Sequence, residues 1–297
     1  MQKIVPCLWF DTQAEKAVDL YLSLFPDSEI LNTLHYDKAS AEVSGQPEGS
    51  ILTIEYYLAG YTFLAMNGGP NFTFTPAISL SVQCETEEEI DKLYAALSEG
   101  GGVLMPLQKY DFSPRFAWVA DKYGVSWQLN LAPDYSTVKQ KIEPFIMFTG
   151  ENFRKAKEAM GFYTSLFENS RITSLYPSEE NGKEIVMHAT FELNGEELMA
   201  SDSGIDHKFT ITPAISLIVN CTTQEEIDTL WNALSAVPEA EQCGWLQDTY
   251  GVSWQIVPTV LNTLLQDTDP QKRERVMKAM LAMKKLNIAE LETAHRA

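Results

Sequence analysis

The chain is written twice, and that repeat constrains its fold more than anything else in the sequence. Thr75-Pro76-Ala77-Ile78-Ser79-Leu80 returns as Thr212-Pro213-Ala214-Ile215-Ser216-Leu217, and Tyr123-Gly124-Val125-Ser126-Trp127-Gln128 as Tyr250-Gly251-Val252-Ser253-Trp254-Gln255. Ser23-Leu24-Phe25 returns as Ser165-Leu166-Phe167, Glu88-Glu89-Ile90-Asp91 as Glu225-Glu226-Ile227-Asp228, and Lys3-Ile4-x-Pro6 as Lys141-Ile142-x-Pro144. The words keep one order and are not compositionally biased, so low complexity does not explain them. The drift in their spacing places an insertion in the first copy between Leu97 and Trp118. The copies span 1–138 and 139–258, followed by a tail, 259–297.

Each copy carries the same pattern of elements. Lys3 to Phe10 reads as a short apolar strand. Ala14, Ala17, Val18, Tyr21, Leu24 and Phe25 recur at helical spacing, with Thr12 and Glu15 placed for a capping box. Glu29–Tyr36, Ser50–Leu58 and Tyr61–Asn67 read as strands, the last two joined through Ala59-Gly60. Thr75–Gln83 reads as a strand and Thr86–Ser98 as a helix capped by Thr86 and Glu89. Three further strands follow at Val103–Gln108, Arg115–Ala120 and Val125–Leu131. The order is βαβββ, four times over. That predicts an α+β fold: a tandem pair of domains, each of two βαβββ modules, with helices on one face of mostly antiparallel sheets. The free faces would curve into cups, the natural place for a ligand.

Composition narrows the function. Of 297 residues, 22 are Lys or Arg and 41 are Asp or Glu, for a net charge of −19. Such a chain lacks the basic footprint of a nucleic-acid binder and is repelled by anionic membrane surfaces. No apolar stretch is long enough to span a bilayer, and Asp11 interrupts the N-terminus before a signal-type apolar region develops. Four cysteines without a C-x-x-C pair suit a reducing compartment, so a cytoplasmic location is expected. The tail helix opens with Asp269 as N-cap and Pro270 in its first turn, and is expected to pack across the pair. Its basic run Lys272-Arg273-x-Arg275 reads as a solvated face.

Ile4-x-Pro6-Cys7-Leu8-Trp9-Phe10, Asn67-Gly68-Gly69-Pro70, Ala77-Ile78-Ser79, Cys243-Gly244-Trp245-Leu246 and the paired Gly-Val-Ser-Trp-Gln words resemble the vicinal oxygen chelate superfamily. That superfamily includes glyoxalase I, extradiol dioxygenases and the fosfomycin and bleomycin resistance proteins. More narrowly the chain resembles the PhnB-like branch, often labelled demethylubiquinone methyltransferase-like. The resemblance covers both copies, and the Met/Leu-rich tail is also similar to this branch. It implies that single-copy relatives pair as homodimers, making this chain an internal pseudo-dimer, expected to act alone or as a pair of tandem chains.

The resemblance also implies where a divalent metal would be held. The equivalent positions are Pro6, one near Ala65, Ala77 and Gln128 in the first copy and Pro144, one near Ala200, Ala214 and Gln255 in the second. Pro and Ala carry no donor and Gln is a weak neutral one, so the inherited metal site is expected to be absent and no cofactor is expected. His35, His188, His207 and His295 show no zinc-type spacing, and only His188, equivalent to Thr53, is placed to line a cup. Cys84 and Cys221 are equivalent positions expected to pack as small apolar groups, and Cys7 and Cys243 lie in words near a cup. Gly100-Gly101-Gly102 runs from helix to strand, the reverse of a nucleotide-binding turn.

Taking Leu8 and Phe10 as one strand face and Ser126 and Gln128 as another gives the expected cup lining. In the first copy it comprises Leu8, Phe10, Asn67, Phe72, Phe74, Ser79, Trp118, Ser126 and Gln128. In the second it comprises Phe148, Asp202, Phe209, Ile211, Ser216, Trp245, Ser253 and Gln255. Arg115, in the segment only the first copy has, is placed to meet an anionic ligand. The expected function is metal-independent binding of a small apolar or aromatic molecule, with the bleomycin resistance proteins as the nearest analogy. The alternatives are a metal-dependent lyase or dioxygenase of the vicinal oxygen chelate type, and a non-catalytic structural or interaction protein.

Overall fold

The structure, a computed structural model, describes residues 2–180 and 182–297. The first copy contains β1 (Ile4–Phe10), α1 (Ala14–Leu24), β2 (Glu29–His35), α2 (Lys38–Ser44), β3 (Ile51–Leu58), β4 (Tyr61–Asn67), β5 (Ile78–Cys84), α3 (Glu87–Ser98), β6 (Gly102–Tyr110), β7 (Ser113–Ala120) and β8 (Ser126–Leu131). The second contains β9 (Ile142–Phe148), α4 (Ala156–Leu166), β10 (Arg171–Glu180), β11 (Lys183–Leu193), β12 (Glu196–Asp202), β13 (Ile215–Cys221), α5 (Gln224–Leu234), β14 (Trp245–Gln247) and β15 (Ser253–Pro258). The tail forms α6 (Val260–Leu265), α7 (Pro270–Leu281) and α8 (Ile288–Arg296). The α+β arrangement of four modules and a helical tail is as the repeat predicts. Helix α2 lies outside the repeated pattern of elements, and Asp37 and Ser40 cap it reciprocally.

Hydrogen bonding crosses between the copies. One sheet has the order β14-β15-β13-β1-β4-β3-β2 and the other β10-β11-β12-β9-β5-β8-β7-β6. The seams are antiparallel: β1 on β13, with Cys7 opposite Ser216, and β5 on β9, with Ser79 opposite Phe145. Each sheet, and the cup on its free face, therefore takes one module from each copy. The expectation of one cup per copy is corrected: the copy is the unit of sequence and the cup is built between copies.

Each copy supplies nearly all of one helical core, with Ile142 and Ile215 crossing into the first and Ile4 into the second. Residues of α1 and α3, with Leu8, Phe10, Phe63, Leu80 and Trp127, form one cluster; α4 and α5, with Phe148, Phe191 and Trp254, form its counterpart. The repeated Tyr-Gly-Val-Ser-Trp-Gln word explains how each is tied. Asp121 Oδ1 accepts from the backbone N–H of Tyr123 and Val125, and Gly124 takes φ +92°, closing the turn into β8. Trp127 then points at the helices, where Asp121 Oδ2 accepts from its indole at 3.0 Å and from Tyr21 Oη at 2.7 Å. Asp248, Trp254 and Tyr163 repeat this at 2.8 and 2.7 Å. Each tryptophan buries its ring completely, which stabilises by about 2–3 kcal/mol, and its one polar atom is satisfied.

The capping box expected at Thr12 and Glu15 does not form. The N-cap of α1 is Gln13, without a side-chain cap bond, and Asn67 Oδ1 accepts from Ala14 N at 2.9 Å instead. The Gly100–Phe116 segment is a β-hairpin, with Tyr110 stacked on Phe112 and Phe116 edge to face with both at its end. Its counterpart in the second copy is cut to the three residues of β14. The tail docks beside that cut, where Met283 and Lys284 carbonyls accept from Cys243 N at 2.8 Å and Gly244 N at 2.7 Å. Among the described residues no helix is long and apolar enough to cross a membrane.

Candidate functional site

The first cup, on the sheet that contains β1 and β13, encloses a cavity of about 710 Å³. Its floor is set by strand alternation. On β1, Val5, Cys7 and Trp9 face the cup, while Ile4, Leu8 and Phe10 face the helices. Leu64 and Met66 of β4, Ile218 of β13 and Val257 of β15 join them. Gln255 Nε2 donates to Ser216 Oγ at 3.0 Å across the floor. The Cys7 thiol lies against that pair, and burial pushes its pKa up to about 12, so it is neutral and not nucleophilic at ordinary pH.

The wall is aromatic. Trp9 meets Phe72 edge to face at 4.9 Å and Trp245 at 5.8 Å. Its indole donates to Gly69 O at 2.8 Å and lies flat on Gly68, where a Cβ would come within 2.1 Å of the ring. The Asn67-Gly68-Gly69 word is thus what seats Trp9. Leu261 and Leu265 of α6 and Met277, Met280 and Leu281 of α7 form the roof. Arg273 and Arg275, expected as a solvated face, tie the tail together: they donate to Asp267 O at 2.6 Å and Ala294 O at 2.9 Å.

The second cup, on the other sheet, is built from equivalent positions and is filled. Phe145, Met147 and Met199 pack with Trp118 and Phe209 over its floor. Phe145 stands where the first cup has Cys7. Gln128 Nε2 donates to Ser79 Oγ at 2.9 Å and Trp118 Nε1 to Ser126 Oγ at 2.7 Å. One end is polar: Asn130 donates to Gln83 at 2.8 Å, and Gln83 to Glu143 at 2.9 Å. Glu143 is 5% exposed, and burial lifts its pKa to about 8. His188 lies 6.2 Å from the Phe145 ring, and burial lowers its pKa.

The expected lining residues thus divide three ways. Trp245, Ser253 and Gln255, with Phe72, line the open cavity. Ser79, Trp118, Ser126, Gln128 and Phe209 belong to the filled second cup. The others are corrected. Leu8, Phe10 and Phe148 point into the helical cores, and Phe74 packs on Phe10 at 5.1 Å. Asn67 caps α1, and Asp202 accepts from Ala156 N at 3.1 Å and Val186 N at 2.9 Å. Arg115 pairs with Asp91. Cys7 and Cys243, expected near a cup, lie beneath and beside this one, whereas sequence reasoning missed Trp9, Glu55 and the roof.

Of the positions carried over for a metal, only Gln128 and Gln255 present a side-chain donor to a cup. Pro6 and Pro144 sit opposite the core residues Leu217 and Leu80, and Ala65 and Ala200 lie in the helical cores. Ala77 and Ala214 offer only backbone oxygens, already taken by Met147 N and Trp9 N. Among the described residues, no three His, Cys, Asp or Glu side chains converge on a point that could hold an ion. These donors do not fit the divalent site that the fold family implies. Nor do the glycines fit a nucleotide-type cofactor: Gly100–Gly102 joins α3 to β6, and a Cβ on Gly101 would lie 2.1 Å from Ala120 O.

The fold defines the class. A glyoxalase I mutant from Zea mays superposes with a TM-score of 0.52, covering 85% of this chain and 90% of its own at 9% identity. Glyoxalase I from Zea mays itself gives 0.50 at 8% identity, covering 78% and 79%. The chain has the vicinal oxygen chelate fold of a tandem glyoxalase-like protein. Within that class it belongs to the family described as 3-demethylubiquinone-9 3-methyltransferase, whose profile matches residues 2–130 and again 140–257. A PhnB protein from Bacillus cereus carrying that same description is 47% identical over 44% of this chain and 100% of its own, with a TM-score of 0.41. None of the curated proteins compared matches the chain.

Proposed function

We propose that the chain is a binding protein for a small apolar or aromatic molecule, held in the first cup without a metal. The observation that carries this reading is the roofed cavity of about 710 Å³, within the size range of small-molecule sites, walled by Trp9, Phe72 and Trp245. The Gln255–Ser216 pair on its floor supplies the few polar groups that orient a ligand. Metal independence is supported by the donor set, which lacks three converging ligands among the described residues. Binding of this kind raises native-state stability, by an amount that grows with the logarithm of free ligand concentration over Kd.

The test is titration with the neutral fluorophore N-phenyl-1-naphthylamine, before and after treatment with EDTA. Saturable binding of one probe per chain, unchanged by EDTA and accompanied by a rise in Tm, is the expected result. Absence of saturable binding, or binding that appears only on adding a divalent ion, overturns the reading.

A further inference from the structure

The cavity wall holds one charge at mid-strand. Glu55 lies on β3 between Asn32 of β2 and Leu64 of β4, and all three line the first cup. Its carboxylate is half-buried, and desolvation alone raises its pKa. Among the described residues it makes no salt bridge and no side-chain hydrogen bond. The equivalent residue of the second cup is Thr190, whose hydroxyl is already satisfied by Ser174 at 2.7 Å. A half-buried carboxylate without a partner is unfavourable, and the usual remedy is an opposite charge.

Nothing in the cavity supplies one. The residues that line it include no lysine, arginine or histidine, and its second carboxylate is Glu239 at the rim. Trp9, Phe72 and Trp245 meet edge to face in a corner of the same cavity, an aromatic surface suited to the body of a ligand that brings the missing charge. A net charge of −19 biases the whole molecule towards positively charged partners.

We infer that the first cup selects an organic cation: an amine-bearing molecule with an aromatic or apolar body, its ammonium directed at Glu55 and its body against the Trp9 corner. This rests on the binding reading above and adds the ligand's charge to it. An anionic ligand would meet Glu55 and Glu239 with no compensating cation, and a neutral one would leave Glu55 as it stands.

Three probes of one shape test it: 2-(aminomethyl)naphthalene, 2-naphthylmethanol and 2-naphthoate, each competing with N-phenyl-1-naphthylamine at pH 7.5. The amine is expected to displace the fluorophore at a concentration about tenfold or more below the alcohol, as a charge-assisted contact requires, with the carboxylate weakest. In Glu55→Gln the amine should fall to within about twofold of the alcohol, while the alcohol's own affinity holds and shows that the cup is intact. Glu239→Gln should keep most of the preference. Equal displacement by amine and alcohol in the unaltered protein, or a preference that survives Glu55→Gln, overturns the inference and leaves the binding reading standing. Failure of the fluorophore itself to bind removes both.

Discussion

The two cups start from the same plan and end as opposites. Both have a Gln–Ser pair across the seam, at 3.0 Å in the first and 2.9 Å in the second. Both have a tryptophan on the strand beside that pair, Trp245 and Trp118. The difference lies in the neighbours: Cys7 against Phe145 at the floor, Val5 against Glu143 and Val257 against Asn130 at one end. One cup is therefore an apolar hollow under a roof, and the other a plugged floor with a polar end. In a dimer of identical single copies symmetry would make the two cups the same. Joining the copies in one chain lets them differ.

If one floor residue decides which cup is open, exchanging it should break the contrast. Cys7→Phe is expected to push the floor up into the first cavity and lower probe affinity about a hundredfold or more, at an overpacking cost of about 1–3 kcal/mol because Cys7 is fully buried beneath that floor. Fluorescence titration and a melting curve check both halves of that statement. The reverse change, Phe145→Cys, removes a ring 7% exposed from the second floor. It should cost about 2–4 kcal/mol and give the chain a second probe site, visible as a doubled binding stoichiometry.

The polar end can be tested by pH. In the folded chain Glu143 keeps its proton to about pH 8, against an ordinary value of 4.5. Its stabilising contribution is fully present below 4.5 and is lost as the pH rises through 8. Glu143→Gln should match the parent near pH 4 and exceed it by about 4–5 kcal/mol at pH 9, measured by urea denaturation. A parent and variant with parallel pH profiles would show that this end is open to water. The smallest effect is expected at the shared pairs. Gln128→Ala and Gln255→Ala should each cost about 1 kcal/mol in stability, but only Gln255→Ala should weaken the probe.

The sequence was most legible where polar and apolar residues alternate. Ser126 and Gln128 against Trp127 and Leu129 show which face of β8 is which, and the cores bear that phase out. β1 offers no such mark. Pro6 to Phe10 is apolar throughout because the strand has the helical core on one side and the cup on the other, so either phase fits and Leu8 and Phe10 were assigned to the wrong face. The partnering of modules was illegible for a different reason. Equivalent strands carry nearly the same words, so β1 has no local signal that selects β13 over β5. The Asp269 cap and Pro270 of α7 could be read, but that the tail roofs one cup could not.

The seam between β1 and β13 carries a consequence for how the chain is made. Ile4 pairs with Val219, so once β1 has been synthesised it must wait for some two hundred further residues before its open edge is covered. At ordinary translation rates that interval is on the order of ten to forty seconds. During it, Val5, Cys7 and Trp9 form half a hollow facing solvent, exposed to capture by any neighbouring nascent chain with the same words. The β13 module is what seals the β1 module.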